Sequence, residues 1–326
     1  MRKRLFLSLL ITFFVIFSVQ LEVSAKDPTD YPKMPINVLI GFGPGGSTDV
    51  TMRVISDLAS KILGQPLICE NKVGASSKVE LAALAKATPD GYTIGTLSLG
   101  VATREPHMVQ VHFDTLHDFT PIMQYTDYPF SVAVMADSPW KTLKELVTAM
   151  KENPGKFTVA NSGTYSGGDL VWRVIGKKEG IEIRQIPYSG GGSQAVLALL
   201  GGHVQALGCG GEANPHVRAG KMRLLAVLGE SRLPDFPDVP TVKELGYPFV
   251  NVSGVAIAGP KGLPKLILKK LEDALTEASK DPKFQDVLKK FDLPYVYKNS
   301  EQLGKEIPFL YANWGILLKE LGIISK

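Results

Sequence analysis

The chain has 326 residues, with 36 Lys and Arg against 32 Asp and Glu and a formal net charge of +4. So small a charge gives no general electrostatic case for nucleic acid or an acidic membrane as partner. Only Cys69 and Cys209 occur, inside the apolar runs PLICE and VQALGC; they read as buried structural thiols, with a single disulfide between them as the alternative.

At the N-terminus MRKR precedes the apolar run LFLSLLITFFVIFSV and then Val23-Ser24-Ala25. A charged segment, an apolar segment and a small-x-small site make residues 1–25 a secretory signal, with a mature start at Lys26. An uncleaved membrane anchor is the competing reading, since the apolar run approaches a span in length. Loss of Arg2, Lys3, Arg4 and Glu22 brings the formal charge to +2. No Cys near the junction indicates a lipid anchor. The mature chain, about 300 residues, has the length of two domains, each able to bury its own core.

Strand and helix patterns then alternate. INVLIG, PLICEN, YTIGTL, PIMQY, FSVAVMA, FTVANS, IRQIPY, VQALGC, MRLLAVL and VSGVAIAG read as strands. VTMRVISDLASKIL, SKVELAALAKA, KTLKELVTAMKEN, GDLVWRVIGKKEG, SQAVLALLGG, LPKLILKKLEDALTEASK and SEQLGKEIPFLYANWGILLKELG read as helices. The alternation predicts an α/β fold with mostly parallel sheets covered by helices. Two helix-free passages, 119–140 and 230–260, are what a chain shows when it leaves one α/β domain, builds a second and returns. Residues 26–126 with 250–326 form the first domain on this reading and 127–249 the second, with a hinge and a ligand cleft between them.

Three loops join a strand end to a helix start through Gly and Ser: GFGPGGSTD, NSGTYSGGD and PYSGGGSQA. Glycine admits close backbone approach, and free N–H groups at a helix start attract carboxylate or phosphate oxygens without formal charge. Each loop alone is equally a turn with a capping hydroxyl; three together, with hydroxyls at Ser47, Thr48, Ser162, Thr164, Ser166, Ser189 and Ser193, favour an anion site.

Gly41, Gly43 and Gly46 also fit G-x-G-x-x-G, with Glu70 where a dinucleotide fold carries its ribose acid. Export argues against nicotinamide and flavin, and Asp49 opposes a pyrophosphate, although an acid there also simply complements the helix dipole. As a P-loop the segment has Ser47 in place of Lys. Thr164 spoils a G-x-S-x-G elbow at Ser166, and the five His form no H-E-x-x-H or Cys-His cluster, so neither hydrolase nor metal site is indicated. No cofactor is indicated either.

GFGPGGSTDVTMR, CENKVGAS, ATPDGYTIGT, FDTLHDFTPI, IPYSGGGSQAVLALLGGHVQA, AGKMRLLAV and PDVPTVKELGYP follow in this order. Together they resemble the extracytoplasmic solute receptors of tripartite tricarboxylate transporters, the Bug receptors, across essentially the whole mature chain. The resemblance implies a type II periplasmic-binding-protein fold, two α/β domains closing on an organic carboxylate, no enzymatic activity, and delivery to a permease of one large and one small membrane subunit. A monomeric, periplasmic or otherwise extracytoplasmic protein is expected.

By position in that family, one ligand carboxylate would rest on Phe42, Gly43, Gly45, Gly46, Ser47, Thr48 and Asp49, often through water. The rest would meet Ser162, Thr164, Ser166, Gly167, Gly168, Tyr188, Gly190 and Gly191, with Ser98 and Glu212 at matching strand ends. Gly41 departs from the family's usual Pro, and Lys72-Val73-Gly74-Ala75-Ser76-Ser77-Lys78 from a Lys-Pro-Gly-Ala-Gly-Gly run. Lys72 and Lys78 then stand either near the cleft or on loop surface. A receptor that signals to a membrane sensor kinase is the alternative function, and a secreted enzyme on the same scaffold a third. Neighbouring permease or sensor-regulator genes separate the first two, and turnover of a bound ligand identifies the third.

Overall fold

A computed structural model describes residues 30–188, 192–251 and 253–324. The fold is that of one compact unit, Pro32–Lys326. The expected signal segment, and Ser189, Gly190 and Gly191 of the third loop, lie outside the described residues.

The chain first lays down β1 (Ile36–Ile40), α1 (Ser47–Leu63), β2 (Leu67–Asn71), α2 (Lys78–Ala85), β3 (Thr93–Ser98), α3 (Leu99–Arg104) and β4 (Phe119–Asp127). It continues through β5 (Ser131–Met135), α4 (Leu143–Glu152), β6 (Thr158–Asn161), α5 (Gly167–Glu179), β7 (Arg184–Pro187), α6 (Gly192–Leu200), β8 (Ala206–Cys209), α7 (Asn214–Arg218) and β9 (Met222–Val227). It ends with β10 (Gly254–Pro260), α8 (Lys265–Ser279), α9 (Pro282–Lys290), β11 (Tyr295–Asn299) and α10 (Ser300–Glu320).

Two sheets result, one in the order β11-β4-β10-β3-β1-β2 and one in the order β7-β6-β8-β5-β9. In the first, β1 pairs in parallel with β2 and β3, while β10 lies antiparallel between β3 and β4. In the second, β6 pairs in parallel with β7 and β8, while β5 lies antiparallel between β8 and β9. Most strands of each sheet thus share one direction. The reversed β5 and β10 are each the first strand laid down after the chain passes to the other sheet, so the two helix-free passages have a direct topological role. Backbone bonds stitch these passages together, from the Tyr128 amide to the Ser253 carbonyl at 3.2 Å and from the Asn251 amide to the Leu228 carbonyl at 2.7 Å.

The parallel strands are apolar because both faces are covered: Ile36, Val38, Leu39 and Ile40 of β1 are all buried. In α1 the buried Met52, Ile55 and Ala59 recur at helical spacing and turn one stripe to the core. The first core gathers Leu39, Leu81, Leu97 and Ala256, and the second Val132, Val159, Leu170, Trp172 and Phe249. Helix α10 serves both. It starts from an Asn299/Gln302 capping box, places Leu303, Ile307 and Leu310 in the first core, and carries Trp314 and Leu318 into the second. Each such apolar side chain contributes about 1.5–3 kcal/mol on burial.

Four elements go beyond those expected from the sequence. α3 and α7 are too short to display a helical period. β11 is a half-exposed edge strand with no continuous apolar run. α9 has a readable start, Asp281 capping the Lys283 amide at 2.8 Å with Pro282 at the first turn, but its apolar stripe is only Phe284 and Leu288.

Candidate functional site

Residues 41–46 turn the chain from β1 into α1. Gly45 has φ +79°, a left-handed conformation that glycine alone adopts freely, and Gly43 to Gly46 are exposed. Gly46 stands at the N-cap and brings no side-chain acceptor of its own to the start of α1, whose positive helix end favours an anion. Beneath them Asp49 is only 3% exposed. It accepts from the Gly45 amide at 2.9 Å, Arg53 Nε at 2.9 Å and Asn71 Nδ2 at 2.7 Å. Burial pushes its carboxyl upward, and the hydrogen bonds from Asn71 and Gly45 with the Arg53 charge outweigh this and hold it below the ordinary value. Asn71 also donates to the Phe42 carbonyl at 2.9 Å, so Asp49 fixes the loop from below.

The loop is held from the side by Tyr128, whose hydroxyl is hydrogen-bonded to Ser47 and, at 3.1 Å, to Thr48. Tyr128 lies between β4 and β5, where the chain passes from one sheet to the other. Ser98, 7% exposed, ends β3 beside this loop, and the Gly41 amide donates to Thr96 Oγ1 of the same strand at 3.2 Å.

The second loop repeats the first. Asp169, 2% exposed, accepts from the Tyr165 amide at 3.0 Å and from Arg173 Nε at 2.8 Å. Gln185 of β7 donates to the Asp169 carbonyl at 3.2 Å, and the Asn161 carboxamide accepts from the Gly163 amide at 3.0 Å. Ser166 caps α5 by accepting from the Asp169 amide at 3.2 Å; Ser162 is half-buried and Thr164 exposed. Gly167 and Gly168 are buried for a packing reason. A methyl group on Gly167 would lie 2.5 Å from Asn251 Oδ1, and one on Gly168 would strike the Gly208 carbonyl of β8.

Tyr188 follows β7 and donates its amide to the Asn161 carbonyl at 3.0 Å, leading into the third loop; Gly190 and Gly191 lie outside the described residues. Glu212 sits in the 3₁₀ turn Gly211–Ala213 after β8. Glu212 is exposed, and the protein beside its carboxyl group raises it above the ordinary value through partial desolvation.

The expected residues therefore gather at the carboxyl ends of β1, β3, β6, β7 and β8, where ligands bind in open α/β sheets. Tyr128, Asn71, Arg53 and Arg173 were not singled out from the sequence. The recurrence of D-x-x-x-R in both loops was the available signal for the arginines. Cys69 and Cys209 are free thiols, the first half-buried and the second buried. Among the described residues no group of three or more His, Cys, Asp or Glu is placed to hold a metal ion, and no helix is long and apolar enough to cross a membrane.

The family model described as "Tripartite tricarboxylate transporter family receptor" matches residues 51–323. The chain belongs to this receptor family. A "UPF0065 protein in gbd 5'region" of Cupriavidus necator is 38% identical, over 90% of this chain and 89% of the relative. Protein BugT of Bordetella pertussis is 34% identical, over 81% and 82% respectively, so the likeness to Bug receptors holds across most of the chain. The crystal structure of a TctC solute-binding protein from Polaromonas superposes with TM-score 0.78 at 31% identity, covering 89% of this chain and 99% of that one. MatC from Rhodopseudomonas palustris with bound malate gives TM-score 0.73 at 25% identity, covering 88% and 100%. The fold is of the periplasmic-binding-protein type, and proteins of this family bind solutes without acting on them chemically.

Proposed function

We propose that this chain is an exported receptor that captures a small organic carboxylate between its two sheets and delivers it to the membrane subunits of a tripartite tricarboxylate-type permease. The observation that carries the carboxylate reading is the N-terminus of α1: its cap, Gly46, brings no side-chain acceptor, and the loop above it is open to solvent and braced from below by Asp49. The second loop, with Ser162 half-buried and Thr164 exposed, offers a second set of donors for the far end of the ligand. Malate bound to MatC supports the same ligand class.

The segments 26–126 with 250–326 and 127–249 act as the two domains, hinged at the passages around Tyr128 and Asn251. The mature receptor begins at Lys26, acts outside the cytoplasm as a monomer, and needs no cofactor.

Mass spectrometry of small molecules released from the purified protein tests the ligand, and uptake of that molecule by cells with and without the receptor tests delivery. A released organic acid whose uptake depends on the receptor supports both halves. Uptake of the released acid that is indifferent to the receptor removes the transport role.

A further inference from the structure

Arg104 is the last residue of α3, the helix that starts directly after Ser98 at the end of β3, and it is only 7% exposed. Its Nε is buried without a hydrogen-bond partner, and among the described residues its guanidinium forms no ion pair. What it has is a ring: the guanidinium carbon lies 5.3 Å from the centroid of Trp314. A ring face is a weaker partner than a carboxylate. The two acids whose charges reach Arg104 are engaged elsewhere, Glu105 with Lys78 and Asp169 with Arg173.

A second buried polar group in this corner is unmet too. Asn251, 5% exposed, has both carboxamide atoms buried without a partner, and the carboxamide abuts Gly167 at the start of α5. One aromatic pair joins the two residues: Trp314 under Arg104 stands edge-on to Phe249, two residues before Asn251, with ring centres 6.3 Å apart. Tyr165 of the second loop packs on the same core. An unpaired guanidinium and an unpaired carboxamide thus stand beside the second loop.

A buried cation has lost its hydration, and a paired anion with good hydrogen bonds is what replaces it. A carboxylate satisfies both groups. Its two oxygens match the fork formed by Nε and a terminal nitrogen of Arg104, and a remaining lone pair accepts from Asn251 Nδ2.

We propose that Arg104 is a ligand-binding residue that pairs with a second carboxylate of the solute and thereby selects a diacid over the same molecule with one end uncharged. The inference rests on the carboxylate reading above, in which the first carboxylate remains at the start of α1.

Calorimetry on the mature protein with diacids and their monoamides tests it: succinate and succinamate, glutarate and glutaramate, adipate and adipamate, terephthalate and terephthalamate. Each pair differs by one charge at nearly constant shape. Wild type is expected to bind the diacid of at least one pair about tenfold or more tightly, the factor that a charge-assisted hydrogen bond carries. Arg104→Met keeps an unbranched chain against Trp314 and removes the unpaired charge. It is expected to melt no lower than wild type without ligand and to bind both members of that pair about equally. A wild-type ratio near or below one in every pair, or a ratio unchanged in Arg104→Met, overturns this inference and leaves the carboxylate reading standing. A variant that melts lower and weakens both members alike marks a structural cation and overturns it as well. Silence across all eight acids overturns both readings. If the variant does not fold, a crystal structure with the tightest diacid decides: a carboxylate on the Arg104 guanidinium supports the assignment, and both carboxylates elsewhere overturn it.

Discussion

Asp49 and Asp169 occupy equivalent places in loops on different sheets: each accepts from the amide four residues before it and from the arginine four residues after it. A side chain from the adjoining parallel strand completes each arrangement, Asn71 of β2 in the first loop and Gln185 of β7 in the second. A buried carboxylate below the turn thereby holds the exposed amides above it in place.

Removal of this brace is expected to loosen the first loop. Asp49→Ala should cost about 1.5 to 3 kcal/mol of stability, the range for buried hydrogen bonds to a charged group, and weaken ligand binding as well. Because the folded carboxyl lies below its unfolded value of about 3.9, this contribution is present above that pH and is lost as pH falls through the folded value. Urea titrations from pH 7 to pH 3 should show wild type and variant converging in acid; a constant gap would contradict the assignment.

Gly43 and Gly168 should respond oppositely to alanine. A methyl group at Gly43 meets nothing within 4 Å, so Gly43→Ala should melt normally while crowding the anion-binding face and lowering affinity. At Gly168 it strikes the Gly208 backbone, and Gly168→Ala should lose about 1–3 kcal/mol, the usual cost of overpacking. Melting curves and titrations on both variants check this; equal melting temperatures would refute the packing role of Gly168.

The pair Arg218–Asp292 links α7 to the second residue past the end of α9. Arg218 donates to Asp292 at 2.8 and 2.5 Å and to Asp235 at 2.7 Å. It therefore ties the second sheet's helices to those of the first, and Asp292→Asn should favour the open state and weaken ligand binding a few-fold. Because the Arg218 side chain is 43% exposed, salt screens the pair, and the difference from wild type should shrink at high ionic strength. Titrations at two salt concentrations test this; a difference that persists in high salt would point to some other cause.

Glu80 is fully buried, accepts from Ser77 Oγ at 3.2 Å, and among the described residues forms no ion pair. Burial raises its carboxyl well above the ordinary range, against the opposing bond from Ser77. The sign follows: stability is fully present below the unfolded value of about 4.3 and is lost as pH rises through the folded value. Glu80→Gln should flatten that decline, as read from melting temperatures from about pH 4 upward. A parallel decline in both proteins would exclude Glu80 as its source.

Much of the fold was legible because parallel strands covered on both faces must be continuous apolar runs, and INVLI, paired in parallel on both sides, is such a run. The strand-to-helix turns at GFGPGGSTD and NSGTYSGGD were legible because Gly and Ser there break the apolar periodicity of the flanking strand and helix. Tyr128 was not, since it acts through the passage between sheets and carries no local pattern. Nor does the sequence distinguish Gly45, at φ +79°, from Gly46, at φ −68°. The buried orientation of Asp49 was hidden too: an acid in a first helical turn fits the helix dipole whether it faces ligand or core.

The central claim, a site built for organic acids and not for nucleotides, is tested most directly by thermal shift across organic acids, amino acids, NAD and ATP. A ligand that binds only the folded state adds about 2.7 kcal/mol at a hundredfold excess over Kd. For a chain of this size that raises Tm by about 2–4 °C. At least one acid should produce such a shift while NAD and ATP produce none. A shift with NAD or ATP and a flat response across the acids would contradict it.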